Sequence, residues 1–87
     1  MTQTYSITLK YFASIREAIG QGTEPVHTQA ATLGDLRDEL IARGGAYAAV
    51  LAHDRPVRMA LNQNLCQDTA ELSEGCEVAF FPPVTGG

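Results

Sequence analysis

The chain has 87 residues, of which 45% are hydrophobic and 18% are charged, with a net charge of −4. This length has room for one modest hydrophobic core, so the sequence predicts a single globular domain. The six basic residues are scattered, which argues against a nucleic-acid binder because such proteins concentrate basic side chains on one surface. No apolar run approaches the roughly 18 residues of a membrane span, and residues 1–5 do not resemble a secretory signal. We therefore expect a cytoplasmic protein with no membrane partner.

The first part of the chain predicts a strand, a short helix and a second strand. Residues 4–12 alternate apolar and polar side chains, which is typical of a half-buried strand. Ser14 is a suitable N-cap for a short helix that ends at Gly20. Residues 23–29 predict a weaker strand at a sheet edge, because Pro25 cannot donate a hydrogen bond to a neighbouring strand.

The most regular pattern is an amphipathic helix that begins after Thr32, its predicted N-cap, and ends at Gly44–Gly45. Its apolar side chains recur on one stripe and its charged side chains are predicted to face water. The apolar stripe consists of Leu33, Leu36, Leu40 and Ile41. The predicted solvated face consists of Arg37, Asp38, Glu39 and Arg43. Residues 47–51 are predicted to add a further helical turn.

The rest of the chain predicts strands joined by turns. Residues 57–61 alternate in a third strand, residues 65–66 begin a short pairing segment, and residues 76–81 form the last strand. The order is strand, short helix, strand, long helix and then strands. It predicts an α+β fold with one long helix packed across one face of a mixed sheet, and it suits the β-grasp architecture of ubiquitin.

Three apolar side chains fall where this fold predicts polar ones. Phe12 and Phe81 lie on the outer face of the sheet by strand parity, and Leu65 lies in an otherwise polar stretch. Either a loop or a short edge helix covers them, or they form an apolar patch that binds a partner protein.

The two cysteines and two histidines predict no metal site, because His27 and His53 lack ligand spacing and no CxxC motif occurs. In a reducing cytosol Cys66 and Cys76 are expected to be free thiols. Cys76 shares strand parity with Val78, so it is predicted to be buried, and neither cysteine is assigned a role.

The sequence predicts a folded domain of residues 1–83 and a flexible tail of residues 84–87. Pro82-Pro83 end the last strand, and the four residues that follow reach about 13–14 Å if extended. Gly86–Gly87 carry no Cβ, so their backbone can thread a narrow channel and place the terminal carboxylate in another protein's active site. Such a carboxylate must first be activated, most simply as an acyl-adenylate, before sulfur or nitrogen attacks it. The alternative interpretation is a frayed terminus without a role.

The ending EVAFFPPVTGG, residues 77–87, closely resembles that of the small subunit of molybdopterin synthase, the MoaD type. Residues 11–20 and 60–63 are also similar to this family, so the resemblance covers nearly the whole chain. It implies a ubiquitin-like sulfur carrier that binds no cofactor and is not an enzyme on its own.

The resemblance also implies a reaction cycle and a set of partners. An E1-like adenylating enzyme uses ATP to adenylate Gly87, and the persulfide of a sulfurtransferase then leads to a thiocarboxylate. The tail delivers this sulfur to cyclic pyranopterin monophosphate in the large, catalytic subunit of molybdopterin synthase, a step of molybdenum cofactor biosynthesis. The implied partner interface consists of Phe12, Leu65, Phe81, Pro82, Pro83, Val84 and Thr85, followed by Gly86 at the reacting end. A carrier for thiamine or an amino acid, a ubiquitin-like modifier of lysines and a plain interaction module are the alternatives.

Overall fold

The computed structural model describes residues 4–83, which form five strands and three helices. In chain order the elements are β1 (Tyr5–Tyr11), α1 (Ala13–Ile19), β2 (Thr23–Thr28), α2 (Leu33–Ile41), α3 (Gly45–Leu51), β3 (Arg58–Leu61), β4 (Asn64–Cys66) and β5 (Glu77–Phe81). The predicted α+β fold with a mixed sheet is confirmed. The predicted division into a domain of residues 1–83 and a tail of residues 84–87 stays a prediction, because residues 1–3 and 84–87 lie outside the described part.

The five strands form one sheet in the order β2-β1-β5-β3-β4. β5 pairs in parallel with β1 and antiparallel with β3, so the last strand in sequence lies at the centre of the sheet. β2 and β4 are the two edge strands, and β2 carries Pro25 as predicted. The remaining neighbours, β1 with β2 and β3 with β4, are antiparallel.

All three helices contribute to one hydrophobic core on the inner face of the sheet. Leu33, Leu36 and Leu40 of α2 are each at most 1% exposed, and Ile41 packs partly buried against the same cluster. On the sheet side, Tyr11 and Phe80 stack with their ring centroids 6.2 Å apart. Other contributors are Ile7, Leu9, Ile15, Leu51, Met59 and Val78. The predicted apolar stripe is therefore the face that holds α2 on the sheet.

The helix ends agree only in part with the sequence. The Thr32 hydroxyl accepts a hydrogen bond from the Asp35 amide at 3.2 Å, so the predicted N-cap of α2 is confirmed. The prediction of Ser14 as an N-cap is wrong: α1 begins at Ala13, with Phe12 in the capping position and no side-chain cap. Ala13 has a left-handed φ of 54°, which turns the chain from β1 directly into α1.

Arg37 corrects the predicted solvated face of α2, because it is only 8% exposed. Its Nε donates to the Leu51 carbonyl at 2.6 Å and its Nη2 donates to the Ala52 carbonyl at 2.7 Å and the Arg55 carbonyl at 3.3 Å. These are carbonyls at the C-terminal end of α3 and just beyond it, which would otherwise lack helical donors. Burial lowers the pKa of Arg37, while Asp38 and Asp68 act in the opposite direction. Arg37 thus joins α2 to the end of α3.

The longest helix, α2, has nine residues. Between residues 4 and 83, no helix combines the length and the hydropathy that a membrane span requires.

Candidate docking groove and tail base

A shallow groove of about 360 Å³ lies on the outer face of the sheet, opposite the helices. Here it is called the outer groove. Its floor and walls are apolar and its rim is polar: Ala60 and Ala79 form the floor, Phe12, Leu65 and Phe81 the walls, and Lys10, Gln63 and Glu77 the rim. The structure thus brings together the three apolar side chains that the sequence singled out, from β4, from β5 and from the end of β1.

Sheet register explains why a depression forms at this place. Ala60 on β3 pairs with Ala79 on β5, and each also has a larger neighbour on its other side. Ala60 pairs with Leu65 on β4, and Ala79 pairs with Lys10 on β1. Two alanines at the centre of one row, with longer side chains at both ends, leave a hollow with an apolar floor.

The large side chains at the groove are more exposed than apolar residues usually are. Phe12 is 48% exposed and Leu65 is 67% exposed, while the floor alanines are each 7% exposed. Within residues 4–83, no loop or helix covers Phe12 and Leu65, while Phe81 is partly buried. The role of this patch as an interface stays a prediction.

The backbone of Phe12 is held on both sides. Its N–H donates to the Phe80 carbonyl at 3.1 Å, and its own carbonyl accepts from Ile15 and Arg16 in the first turn of α1. Because Ala13 leaves the sheet at once, the side chain of Phe12 stands at the end of β1. Phe12 is therefore a fixed wall of the outer groove.

The residues that precede the predicted tail follow a wall of this groove in the chain. Pro82 and Pro83 follow Phe81 directly and are partly buried. Pro82 lines a cavity of about 280 Å³ together with Ser14, Ile15, Val50, Arg55 and Pro56. The predicted site residues Val84, Thr85, Gly86 and Gly87 lie outside the described residues.

A cluster of polar side chains centred on Glu24 supports the inner face beneath the groove. Glu24 Oε1 accepts hydrogen bonds from the hydroxyls of Tyr11 at 2.8 Å and Tyr47 at 3.1 Å, and Arg43 donates to Oε2 at 2.9 Å. Burial, followed by the hydrogen bond to Glu24, raises the pKa of Tyr11. Burial alone would raise the pKa of Glu24, but its three donors together lower it below the ordinary value. Tyr11, which stacks on Phe80, is thereby fixed at the end of β1.

The remaining candidate residues lie away from the outer groove. Cys76 is buried, as predicted, and Cys66 is half-buried; both are free thiols. His27 contacts Ser6 Oγ at 2.9 Å and His53 pairs with Asp38 on the helix side. Residues 4–83 contain no group of three or more His, Cys, Asp or Glu side chains arranged to hold a metal ion.

The residues of the floor and the rim of the groove were not predicted from the sequence. One feature of the sequence could have indicated the floor: Ala60 and Ala79 are small residues at outward-facing strand positions, where the other outward-facing residues of the same two strands are aromatic or long. The two alanines are neighbours only because β3 pairs with β5 in one particular register, and the sequence alone does not reveal this pairing. Lys10 and Glu77 looked like ordinary solvated residues of an outer face.

The sheet order and the single helical layer define the ubiquitin-like β-grasp class. The solution structure of the Haloferax volcanii HVO 2177 protein has this fold, with a TM-score of 0.80 and 32% identity over 97% of this chain and 88% of that one. A ubiquitin from Caldiarchaeum subterraneum shares the fold alone, with a TM-score of 0.60 at 14% identity over 98% of this chain and 100% of that one. Within that class, the chain belongs to the ThiS family, which matches residues 9–87.

Curated relatives confirm the resemblance seen in the sequence. The molybdopterin synthase sulfur carrier subunit of Escherichia coli K12 is 38% identical over 81 residues, covering 93% of this chain and 99% of that protein. The protein of the same name from Mycobacterium tuberculosis H37Rv is 36% identical over 83 residues, covering 93% and 96%.

Two further solved structures bear on function. One is a complex of subunits 1 and 2 of the molybdopterin-converting factor from Helicobacter pylori, with a TM-score of 0.64 and 25% identity over 94% of this chain and 99% of that one. The other is SAMP1 of Haloferax volcanii, with a TM-score of 0.75 and 31% identity over 94% and 99%. SAMP1 stands for small archaeal modifier protein 1.

Proposed function

We propose that this chain is the sulfur carrier subunit of molybdopterin synthase, with Gly87 as the reacting residue and no catalysis by the chain alone. The observation that carries the proposal is the position of the outer groove: Phe81, one of its apolar walls, directly precedes Pro82-Pro83 and lies six residues before the C-terminal Gly87. The names of the curated relatives support the pathway, and the Helicobacter pylori complex supports a larger subunit as partner.

The groove and the tail have separate tasks in this proposal. The large subunit covers the outer groove, and Phe12, Leu65 and Phe81 are the apolar anchors of the contact. Pro82 and Pro83 direct the chain away from the domain with little conformational freedom. Residues 84–87 then span about 13–14 Å of the partner's channel and place the carboxyl group of Gly87 at its active site.

Loading the tail requires two other proteins. An E1-like enzyme joins the Gly87 carboxylate to the AMP part of ATP and releases pyrophosphate. The persulfide of a sulfurtransferase attacks the acyl carbon and displaces AMP, and a thiol then cleaves the sulfur–sulfur bond to leave the thiocarboxylate on Gly87. The chain supplies the carboxyl end, and the activating enzyme binds the ATP.

Delivery returns the tail to its starting state. In the large subunit, the thiocarboxylate sulfur forms a bond to a carbon of cyclic pyranopterin monophosphate and displaces an oxygen substituent of that carbon, which leaves with the bonding electrons. Water then hydrolyses the acyl–sulfur bond, which leaves the sulfur on the pterin and regenerates the carboxylate of Gly87. Because a dithiolene has two sulfur atoms, each product needs two loaded carriers. The large subunit supplies the acid–base groups for these steps.

The deciding experiment compares the full-length chain with a variant that lacks Gly87. Incubation with the activating enzyme, ATP and a sulfurtransferase is expected to add about 16 Da to the full-length chain, the exchange of one oxygen for sulfur at an activated carboxyl. Deleting Gly87 is expected to abolish sulfur delivery to the pterin without changing the melting temperature. Deleting Thr2, one residue at the opposite terminus, is the control and should load normally.

A chemically prepared Gly87 thiocarboxylate separates loading from delivery. It is expected to bypass the activating enzyme but not the large subunit, so pterin conversion should appear only when that subunit is added. Sulfur transfer by the chain without Gly87, or efficient conversion without the large subunit, would overturn the proposal.

A second candidate function, a ubiquitin-like modifier, is favoured by the similarity to SAMP1 of Haloferax volcanii. It uses the same activated Gly87 but transfers it to lysines of other proteins. Isopeptide adducts on target lysines in cells, in place of a thiocarboxylate, would select this function.

A further inference from the structure

Two opposite charges stand on the rim of the outer groove without partners. Lys10, the only lysine of the chain, lies on β1, and Glu77 begins β5. Both side chains are partly exposed and both line the groove. Within residues 4–83, neither side chain forms an ion pair or a side-chain hydrogen bond.

Their places in the sheet are fixed by register. Lys10 pairs with Ala79 and Thr8 pairs with Glu77 along the parallel β1–β5 ladder. Lys10 and Glu77 are therefore diagonal neighbours on one face, two residues apart along the strands. The backbone of Glu77 is anchored further, because its N–H donates to Asn62 Oδ1 at 2.9 Å and its carbonyl accepts from the Asn62 N–H at 2.8 Å. The pairing of β1 with β5 therefore fixes the position of Lys10 relative to Glu77 on the outer face of the sheet.

Charged groups that serve the fold are paired in this protein. Arg43 pairs with Glu24, and Arg37 donates to three backbone carbonyls. Lys10 and Glu77 contribute no such contact, and in the free protein water solvates both. A partner that covers the groove removes this water, and an unpaired charge in such a contact is costly. A surface that docks here must therefore supply a complement to each charge.

We propose that Lys10 and Glu77 orient the partner on the outer groove. The large subunit presents an acidic side chain to Lys10 and a basic side chain to Glu77. This inference rests on the proposed function and deepens it. Apolar contacts around Phe12, Leu65 and Phe81 give affinity but permit several rotations, whereas two opposite charges select one alignment. One alignment is needed because the tail must enter a single channel.

The test exchanges the two charges. The double variant Lys10→Glu/Glu77→Lys keeps the composition, the net charge and the apolar walls, and reverses only the pattern. Titration calorimetry with the large subunit is expected to show its Kd raised by at least about tenfold at low salt. The single variants Lys10→Glu and Glu77→Lys are each expected to weaken binding less. Equal melting temperatures would establish that all three variants are folded.

The single variants also separate pattern from net charge. They change the net charge in opposite directions, so an effect of overall charge would strengthen binding in one and weaken it in the other. The exchange would then leave Kd unchanged. Wild-type-like binding of the folded exchange variant overturns this inference and leaves the proposed function standing. Failure of the wild-type chain to bind the large subunit overturns the proposed function and this inference with it.

Discussion

Glu24 is one residue whose protonation state affects the stability of the fold. Its carboxylate accepts three hydrogen bonds, and its side chain is 18% exposed. Burial works against the charged form, but the donors outweigh it, and the pKa of Glu24 lies below its ordinary value of 4.5. Because the folded state binds this proton less tightly than the unfolded state, the contribution is complete above about pH 4.5 and is lost as the pH falls through the lower folded value.

Replacing Glu24 by Gln should therefore lower stability in a pH-dependent way. We expect a loss of about 1–3 kcal/mol at pH 7, because three donors lose a charged acceptor, and a smaller loss at pH 3. Urea unfolding of both proteins between pH 3 and pH 7 measures the difference. Glu17→Gln, on the exposed side of α1, is the matched control and should differ little at any pH. A loss from Glu24→Gln that stays constant across this range would contradict the assignment.

Single residues also mark where prediction from the sequence failed. Arg37 lies beside Leu36 on an amphipathic helix, and periodicity alone places such a residue at the water boundary. Its acceptors, Leu51, Ala52 and Arg55, are 14, 15 and 18 residues away in the chain, so no local pattern reveals them. Strand parity, a local signal, pointed to Phe12 and Phe81, and a polar sequence context pointed to Leu65. Their arrangement around the floor alanines depends on the register between distant strands.

At the scale of elements, α3 depends on α2 for its last turn. The Arg37 guanidinium satisfies the Leu51 carbonyl of α3 and two carbonyls that follow it. A helix end without donors from its own chain needs such a substitute, and a fork of N–H groups can reach several acceptors at once. This contact fixes the segment between α3 and β3, which carries Arg55 and Pro56 beside the tail base.

Arg37→Met should consequently destabilise the protein by about 2–4 kcal/mol, since it removes the side-chain donor from the buried Leu51 carbonyl and from two partly buried carbonyls. Arg37→Lys is expected to recover little, because one ammonium cannot reproduce the planar fork. Chemical unfolding at pH 7 gives both values, with Arg16→Met on the surface of α1 as a control that should change stability by about 0.5 kcal/mol or less. Equal stabilities for Arg37→Met and the control would show that Arg37 does not hold the segment.

Most elements were predictable because their signals are local. Alternation gave β1, β3 and β5, and the apolar stripe with its Thr32 cap gave α2. The start of α1 was missed because Ala13 adopts a left-handed φ that its side chain disfavours, so the capping pattern at Ser14 was misleading. The order of elements predicted a mixed sheet but not the parallel pairing of β1 with β5, because these strands are far apart in the chain and no single segment reveals that they are neighbours.

At the scale of the molecule, the inner face of the sheet builds the core and the outer face carries the groove that we propose as the docking surface. Phe12→Ala and Phe81→Ala are expected to weaken binding of the large subunit by about 2 kcal/mol or more, as buried anchors do. Leu65→Glu should act similarly by placing a charge against an apolar contact. Calorimetric titration measures the binding and thermal unfolding measures the stability.

Gln67→Glu, just beyond β4, is the matched control for the added charge and should bind normally. The variant Phe12→Ala should melt near the wild-type temperature, because almost half of the side chain is already exposed. If the three groove variants bind normally and melt early, these side chains belong to the core and not to an interface.

Because β5 is both the last strand in sequence and the centre of the sheet, the domain can fold only after nearly the whole chain has been synthesised. A product that stops before Glu77 keeps the strands of the pairs β1–β2 and β3–β4, but it lacks the strand that joins these pairs into one sheet. Isolated two-stranded hairpins are marginally stable in water, so such a product would remain unfolded and open to proteolysis. The ribosome must therefore translate almost to the tail base before the domain can close. A folded molecule therefore always contains β5, the strand that directly precedes Pro82 and Pro83.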